Sequence, residues 1–136
     1  MKPIYSAAFL PPESRQQLLN VFPAKHGNVQ AHHMTIAFKP NEQDISQLPL
    51  GQLIELKVTG YAEDEFGQAA AVQPVGVVSQ NPVPHITISC NKKPPFYSNE
   101  LLAKGVQPAI PFSIYAKVGV FCEGGKVAYS TDELDA

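Results

Sequence analysis

Two short stretches of this chain carry the residue types needed to move protons at a phosphate. They are His33-Met34-Thr35-Ile36 and His85-Ile86-Thr87-Ile88, each a His-x-Thr-apolar tetrad. Side chains alternate between faces along a strand, so each His shares a face with its Thr. Two such strands lying side by side bring together two imidazoles and two hydroxyls. That set suits attack on a phosphodiester. One imidazole takes a proton from the attacking water, and the other, protonated, gives one to the leaving oxygen. The two hydroxyls donate hydrogen bonds to the non-bridging oxygens, where charge builds in the transition state. His33, Thr35, His85 and Thr87 are therefore the candidate catalytic residues. A single His-x-Thr carries little information, because both residues are common on half-exposed strands; the repetition gives the pattern its weight.

The elements that must hold these residues follow from periodicity and turn chemistry. Ile4 to Leu10 is apolar and β-prone. Pro11-Pro12-Glu13-Ser14 then opens a helix with Leu18, Leu19 and Phe22 on its apolar side and Pro23 as its stop. Lys25 to Gln30 reads as loop. His32 to Phe38 alternates strictly, with His33, Thr35 and Ala37 on one face and His32, Met34, Ile36 and Phe38 on the other. Leu53 to Tyr61 and Gln68 to Val78 form a long hairpin about Asp64-Glu65-Phe66-Gly67. His85 to Cys90 is a strand with His85, Thr87 and Ser89 opposite Ile86, Ile88 and Cys90. Ser98 to Gly105 is a short helix with a Ser cap and a closing Gly. Phe112 to Cys122 and Lys126 to Ser130 form a last hairpin, and Thr131 to Ala136 reads as a frayed acidic tail. About seven strands and two helices make an α+β domain with a mainly antiparallel sheet.

The chain has 136 residues, 44% hydrophobic and 16% charged, which fits one globular domain spanning residues 1–136 and excludes a disordered chain. No apolar run approaches the roughly 20 residues of a membrane helix. The start, Met1-Lys2-Pro3-Ile4-Tyr5, does not read as a secretory signal. Cys90 and Cys122 are too few for a disulfide framework, so a reduced cytoplasmic protein is expected, with no membrane partner. Net charge is −2, which argues against a partner in long duplex nucleic acid. Its distribution favours a small anion. Between Glu13 and Glu42, and between Glu65 and Glu100, there is no acid, while Arg15, Lys25, Lys39, Lys92, Lys93 and all four histidines fall there.

Residues near the motifs offer substrate contacts. Lys39 follows the first motif; Lys92, Phe96 and Tyr97 follow the second, in a Pro-containing segment. An aromatic beside lysines suits a nucleotide, with a π-face for the base and cations for phosphate. Packing against the Leu101-Leu102 helix is an equal alternative for Phe96 and Tyr97. Tyr5 offers the same stacking face from the first strand, although an aromatic on a strand is more often core. Zinc is the competing chemistry, since His32, His33, Cys90 and His85 are ligand types, but adjacent strand residues point to opposite faces and no paired ligand spacing occurs. No cofactor or metal is expected. His26 reads as a residue of a solvated loop, and Cys90 as core.

These motifs resemble the two His-x-[Ser/Thr]-apolar motifs of the 2H phosphoesterase superfamily, in its LigT-like branch. The likeness extends to Ile4 to Arg15, similar to that family's opening strand and Arg-bearing helix, and to Pro84 before the second motif. It implies a bilobal fold of antiparallel sheets with few flanking helices, one motif from each lobe meeting in a central cleft. It also implies action on RNA 2′,3′-cyclic phosphate ends, 2′–5′ linkages or cyclic nucleotides. Some phage-encoded members destroy cyclic-oligonucleotide signals of anti-phage defence, which would put such a protein in the host cytoplasm. The implied partner is a small nucleotide or a short RNA end. The chain is shorter than most members, with its two motif histidines only 52 positions apart, and it lacks an evident basic groove. A non-catalytic nucleotide-sequestering module using the same cleft is the alternative function; intact His and Thr in both copies favour the enzyme.

Overall fold

Apolar residues alternate along most strands, and the sheet they build closes on itself. The computed structural model describes residues 1–136. Its strands are β1 (Pro3–Phe9), β2 (Asn28–Val29), β3 (His33–Phe38), β4 (Leu53–Glu63), β5 (Gly67–Pro74), β6 (His85–Cys90), β7 (Gln107–Cys122) and β8 (Val127–Ala128). Its helices are α1 (Pro12–Val21), α2 (Glu42–Ser46), α3 (Tyr97–Ala103) and α4 (Thr131–Asp135). The strand order is β1-β3-β6-β5-β4-β7, and β7 pairs back with β1, so these strands close an antiparallel barrel. β8 adds to β7, and β2 to β6. The protein is thus α+β with few, short helices, and no helix is long and apolar enough to cross a membrane.

The barrel interior takes one face of each strand. Ala8, Met34, Leu56, Ile86, Ile114 and Val118 are fully buried there, with Leu18 of α1 packed among them. α1 starts on Pro12, whose missing N–H costs nothing in a first turn. Ser14 then ties the helix to the barrel by donating its hydroxyl to the Tyr115 carbonyl at 2.7 Å. β5 is buried on both faces, because α3 covers its outer side and packs Leu101, Leu102 and Tyr97 on Ala69 and Ala71. The small side chains allow that approach. A Cβ on Gly67 would stand 3.1 Å from the Tyr97 ring.

One seam of the barrel is loose. β1 and β3 pair over most of their length, as do β5 and β6, but β3 meets β6 only through Met34 opposite Ile86. The loop before β6 fills part of the gap and is laced to β3: the Ser79 hydroxyl donates to the Thr35 carbonyl and the Gln80 N–H to the Ile36 carbonyl, both at 2.8 Å. The two motif strands flank this seam.

Several expectations change. The segment Lys25 to Gln30 is not all loop, since β2 pairs with Ser89 and Cys90. β7 starts at Gln107, five residues before the expected strand. Ser98 does not cap α3; it lies inside the helix with its hydroxyl against Thr87. α2 was not expected; Asn41 and Asp44 cap it reciprocally. The acidic tail is not frayed. Ser130 caps α4, Leu134 is buried, and the Met1 ammonium donates to the Leu134 carbonyl at 2.6 Å. Eight strands and four helices therefore replace the seven and two read from the sequence. Both cysteines are free and buried.

Candidate active site

The cleft opens at the loose seam. Its volume is about 340 Å³, and eleven residues line it. Gln30, His32, His33, Thr35 and Phe38 come from the first acid-free stretch; Asn81, His85, Thr87, Pro95, Phe96 and Asn99 come from the second. Every lining residue thus falls where the sequence excludes acids. None of them is a Lys or Arg either, so the histidines are the only lining side chains able to carry positive charge.

Strand register sets the motif geometry. With Met34 facing Ile86 into the core, the neighbouring residues His33, Thr35, His85 and Thr87 stand on the opposite face. Antiparallel pairing puts the two histidines on a diagonal across the seam, both lining the same cleft.

Each imidazole is held by its Nδ1. On His85 that nitrogen lies 2.8 Å from the Val83 carbonyl, an acceptor only, so Nδ1 carries the hydrogen and Nε2 the lone pair of the neutral ring. Burial lowers the His85 pKa, and the Val83 carbonyl pulls it partly back up. On His33, Nδ1 lies 2.6 Å from Nδ1 of His32. Tyr5 and Phe9 of β1 back the His33 ring at centroid distances of 5.0 and 5.8 Å. Burial, then the proximity of His32 and His85, pushes the His33 pKa down to about 4.

The two hydroxyls differ. Thr87 Oγ1 lies 3.2 Å from the Pro95 carbonyl and 2.8 Å from Ser98 Oγ, which ties the second motif to the start of α3. Thr35 has no such partner, so its hydroxyl is free to donate into the cleft.

The remaining sequence candidates divide. Phe96 lines the cleft and is 74% exposed. Tyr5 packs between His33 and Phe121, behind the cleft wall. Lys39 and Lys92 follow the two motif strands at positive φ, +50° and +65°, and neither lines the cleft. Lys39 sits over the Phe38 ring instead. Tyr97 is buried beneath α3, its hydroxyl donating to Asp64, so of the two aromatics it is the one that packs. His26 is half-buried against the Asp64 carbonyl rather than solvated.

Gln30, Phe38, Asn81, Pro95 and Asn99 are not among the sequence candidates, and His32 is there only as a ligand type for zinc. Phe38 was assigned to the apolar face, yet it is 58% exposed at the cleft. His32 was placed on the face opposite His33, but β3 begins one residue later and Ala31 takes a left-handed turn at φ +57°. That turn breaks the alternation and brings both imidazoles to one side. The acid-free stretches were the signal that could have collected all six. No group of three or more His, Cys, Asp or Glu side chains adopts an arrangement that could hold a metal ion. Comparison with protein-family models, with curated proteins and with solved structures finds no match.

Proposed function

We propose that this protein is a phosphodiesterase of the 2H type that needs no metal and hydrolyses a nucleotide bearing a cyclic phosphate or a 2′–5′ linkage. Cyclic-oligonucleotide signals and RNA 2′,3′-cyclic phosphate ends are the substrate classes in view. The observation that carries this reading is the convergence of His33 with Thr35 and His85 with Thr87 on one face of adjacent strands, lining one cleft. The β3/β6 seam, bridged only by Met34 opposite Ile86, brings one motif to the cleft from each of its flanking strands.

His33 is the base and His85 the acid. The Val83 carbonyl at His85 Nδ1 favours an imidazolium there, whereas Nδ1 of His33 faces a second imidazole. A bound phosphodiester brings negative charge beside His85, offsets the effect of burial and charges that ring. His33 Nε2 takes a proton from water as the water oxygen bonds to phosphorus. The bond to the leaving oxygen breaks, and that oxygen receives the proton of His85 Nε2. The Thr35 hydroxyl donates to a non-bridging oxygen. A cleft with no fixed cation suits the single negative charge of a diester.

The test is a panel of cyclic mono-, di- and trinucleotides, 2′–5′-linked dinucleotides and RNA with a cyclic-phosphate end, incubated with the protein in excess EDTA. Turnover of one class is expected. Tight binding without turnover would replace the enzyme with a sequestering module, and neither would end the nucleotide reading.

A further inference from the structure

His32 is the cleft residue that the two-motif chemistry leaves without a task, and its surroundings fix it closely. Its carbonyl accepts from the Leu10 N–H at 2.9 Å, and the preceding Ala31 N–H donates to the Thr87 carbonyl at 2.8 Å. Arg15 of α1 clamps the Gln30 carbonyl through Nε and a terminal nitrogen at 3.3 and 3.1 Å. Ala31 is fully buried at φ +57°, a left-handed conformation that residues with a side chain rarely adopt. The fold holds this turn, and the turn sets His32 beside His33.

The hydrogen bonds then run in one direction. The Asn28 amide donates Nδ2–H to Cys90 Sγ at 3.3 Å, which leaves Oδ1 to accept from Gln30 Nε2 at 2.8 Å. Gln30 Oε1 is therefore the atom facing His32 Nε2, 2.7 Å away, and a carbonyl oxygen only accepts. His32 thus carries its hydrogen on Nε2, and its Nδ1 holds a lone pair. The 2.6 Å contact between the two Nδ1 atoms then requires His33 to be the donor. His33 is left with a bare Nε2, the atom a general base needs.

We infer that His32 is a positioning residue: with Gln30 and Asn28 it forms a relay that locks His33 in the Nδ1–H tautomer and presents Nε2 to the cleft. The catalytic part of this inference rests on the phosphodiesterase reading; the tautomer does not. The two imidazoles of the motifs thereby reach the same tautomer by different means, His85 through a backbone carbonyl and His33 through side chains.

The test reads tautomers by long-range nitrogen–proton NMR of the histidine rings near neutral pH, without substrate. In the unmutated protein His33 should be protonated at Nδ1 alone. In His32→Ala the Nε2–H form should appear at His33, while His85, still on Val83, stays unchanged and reports that the fold is intact. In His32→Asp, whose carboxylate only accepts, the Nδ1–H form should return. On a nucleotide that the protein turns over, His32→Ala should lower kcat about 10- to 100-fold, by analogy with the loss when a metal-bound histidine loses its orienting partner, with KM little changed; His32→Asp should recover kcat. An unchanged His33 tautomer in a folded His32→Ala overturns the inference. So does an Nε2–H His33 in His32→Asp, should the alanine variant not fold. If no nucleotide is turned over, the phosphodiesterase reading fails and the NMR result still decides the role of His32.

Discussion

Lowering the pH from neutral to about 5 should cost the folded protein about 2 kcal/mol through His33 alone. The ring is held neutral by burial and by the neighbouring imidazoles, with a folded pKa of about 4 against an unfolded value of about 6.5. Above both values the ring is neutral in both states and adds no pH dependence. Between them the unfolded chain binds the proton and the folded one does not, so stability falls as pH falls. At about 1.4 kcal/mol per unit of pKa difference, the loss is about 2 kcal/mol at pH 5 and levels off at about 3 kcal/mol below pH 4. Most carboxylates are still ionised at pH 5, which separates this effect from general acid unfolding.

The assay is urea unfolding of the protein and of His33→Asn at both pH values. Asn does not titrate, so the variant should lose about 2 kcal/mol less between them, whatever it loses in packing against Tyr5. His85 and His32 are also held below the usual histidine range by burial and act in the same direction in both proteins, so the difference between the two proteins reports His33. Equal losses for the two proteins would mean that the His33 ring is not held neutral by its surroundings. The account of the base would then fail with it.

His33→Ala and His85→Ala should each lower turnover by roughly 10²–10⁴-fold, with unfolding at neutral pH still cooperative; a wild-type rate in either removes that residue from the proton-transfer pair. Activity should survive EDTA and show a bell-shaped pH profile, since one imidazole must be bare and the other charged; loss in EDTA with recovery on added zinc would favour a metal mechanism. Phe96→Ala should raise KM about fivefold or more if a base stacks on this exposed ring, because stacking is worth ~1–3 kcal/mol. Tyr97→Ala should instead lower stability by about 3–5 kcal/mol, and the reverse pattern would exchange the roles of the two aromatics. Affinity for the preferred nucleotide should fall only gently with salt, because a cleft with no lining Lys or Arg releases few counterions.

What could be read from the sequence was whatever depends on local periodicity. The alternation in His85 to Cys90 gives β6 to the residue, and Pro12 and the Asp64 turn place α1 and the β4–β5 hairpin, because each rests on backbone rules that act within a few residues. The short helices escaped notice because tertiary contacts make them: α4 is five residues long and depends on Leu134 finding a pocket beside Val120 and Cys122. The closure of β7 on β1 joins residues about a hundred positions apart, and no window of sequence reports it.

The same distinction divides the site. His33 and Thr35 obey the strand rule because β3 is regular between them, and so do His85 and Thr87 in β6. His32 violates it because left-handed backbone at Ala31 precedes the strand, and Phe38 because β3 carries an extra residue at Ile36, where its register against β1 shifts. Neither Ala31 nor Ile36 is glycine, so nothing in the residue type announces the irregularity. Those interruptions are what make the cleft more than two paired motifs. One adds a third imidazole beside His33, and the other leaves an aromatic ring exposed at the rim. The acid-free stretches registered this without resolving it: every residue that reaches the cleft falls inside them. The lysines in the same stretches misled. Positive charge close in sequence is not positive charge in the cleft, and the backbone turns at Lys39 and Lys92 separate the two.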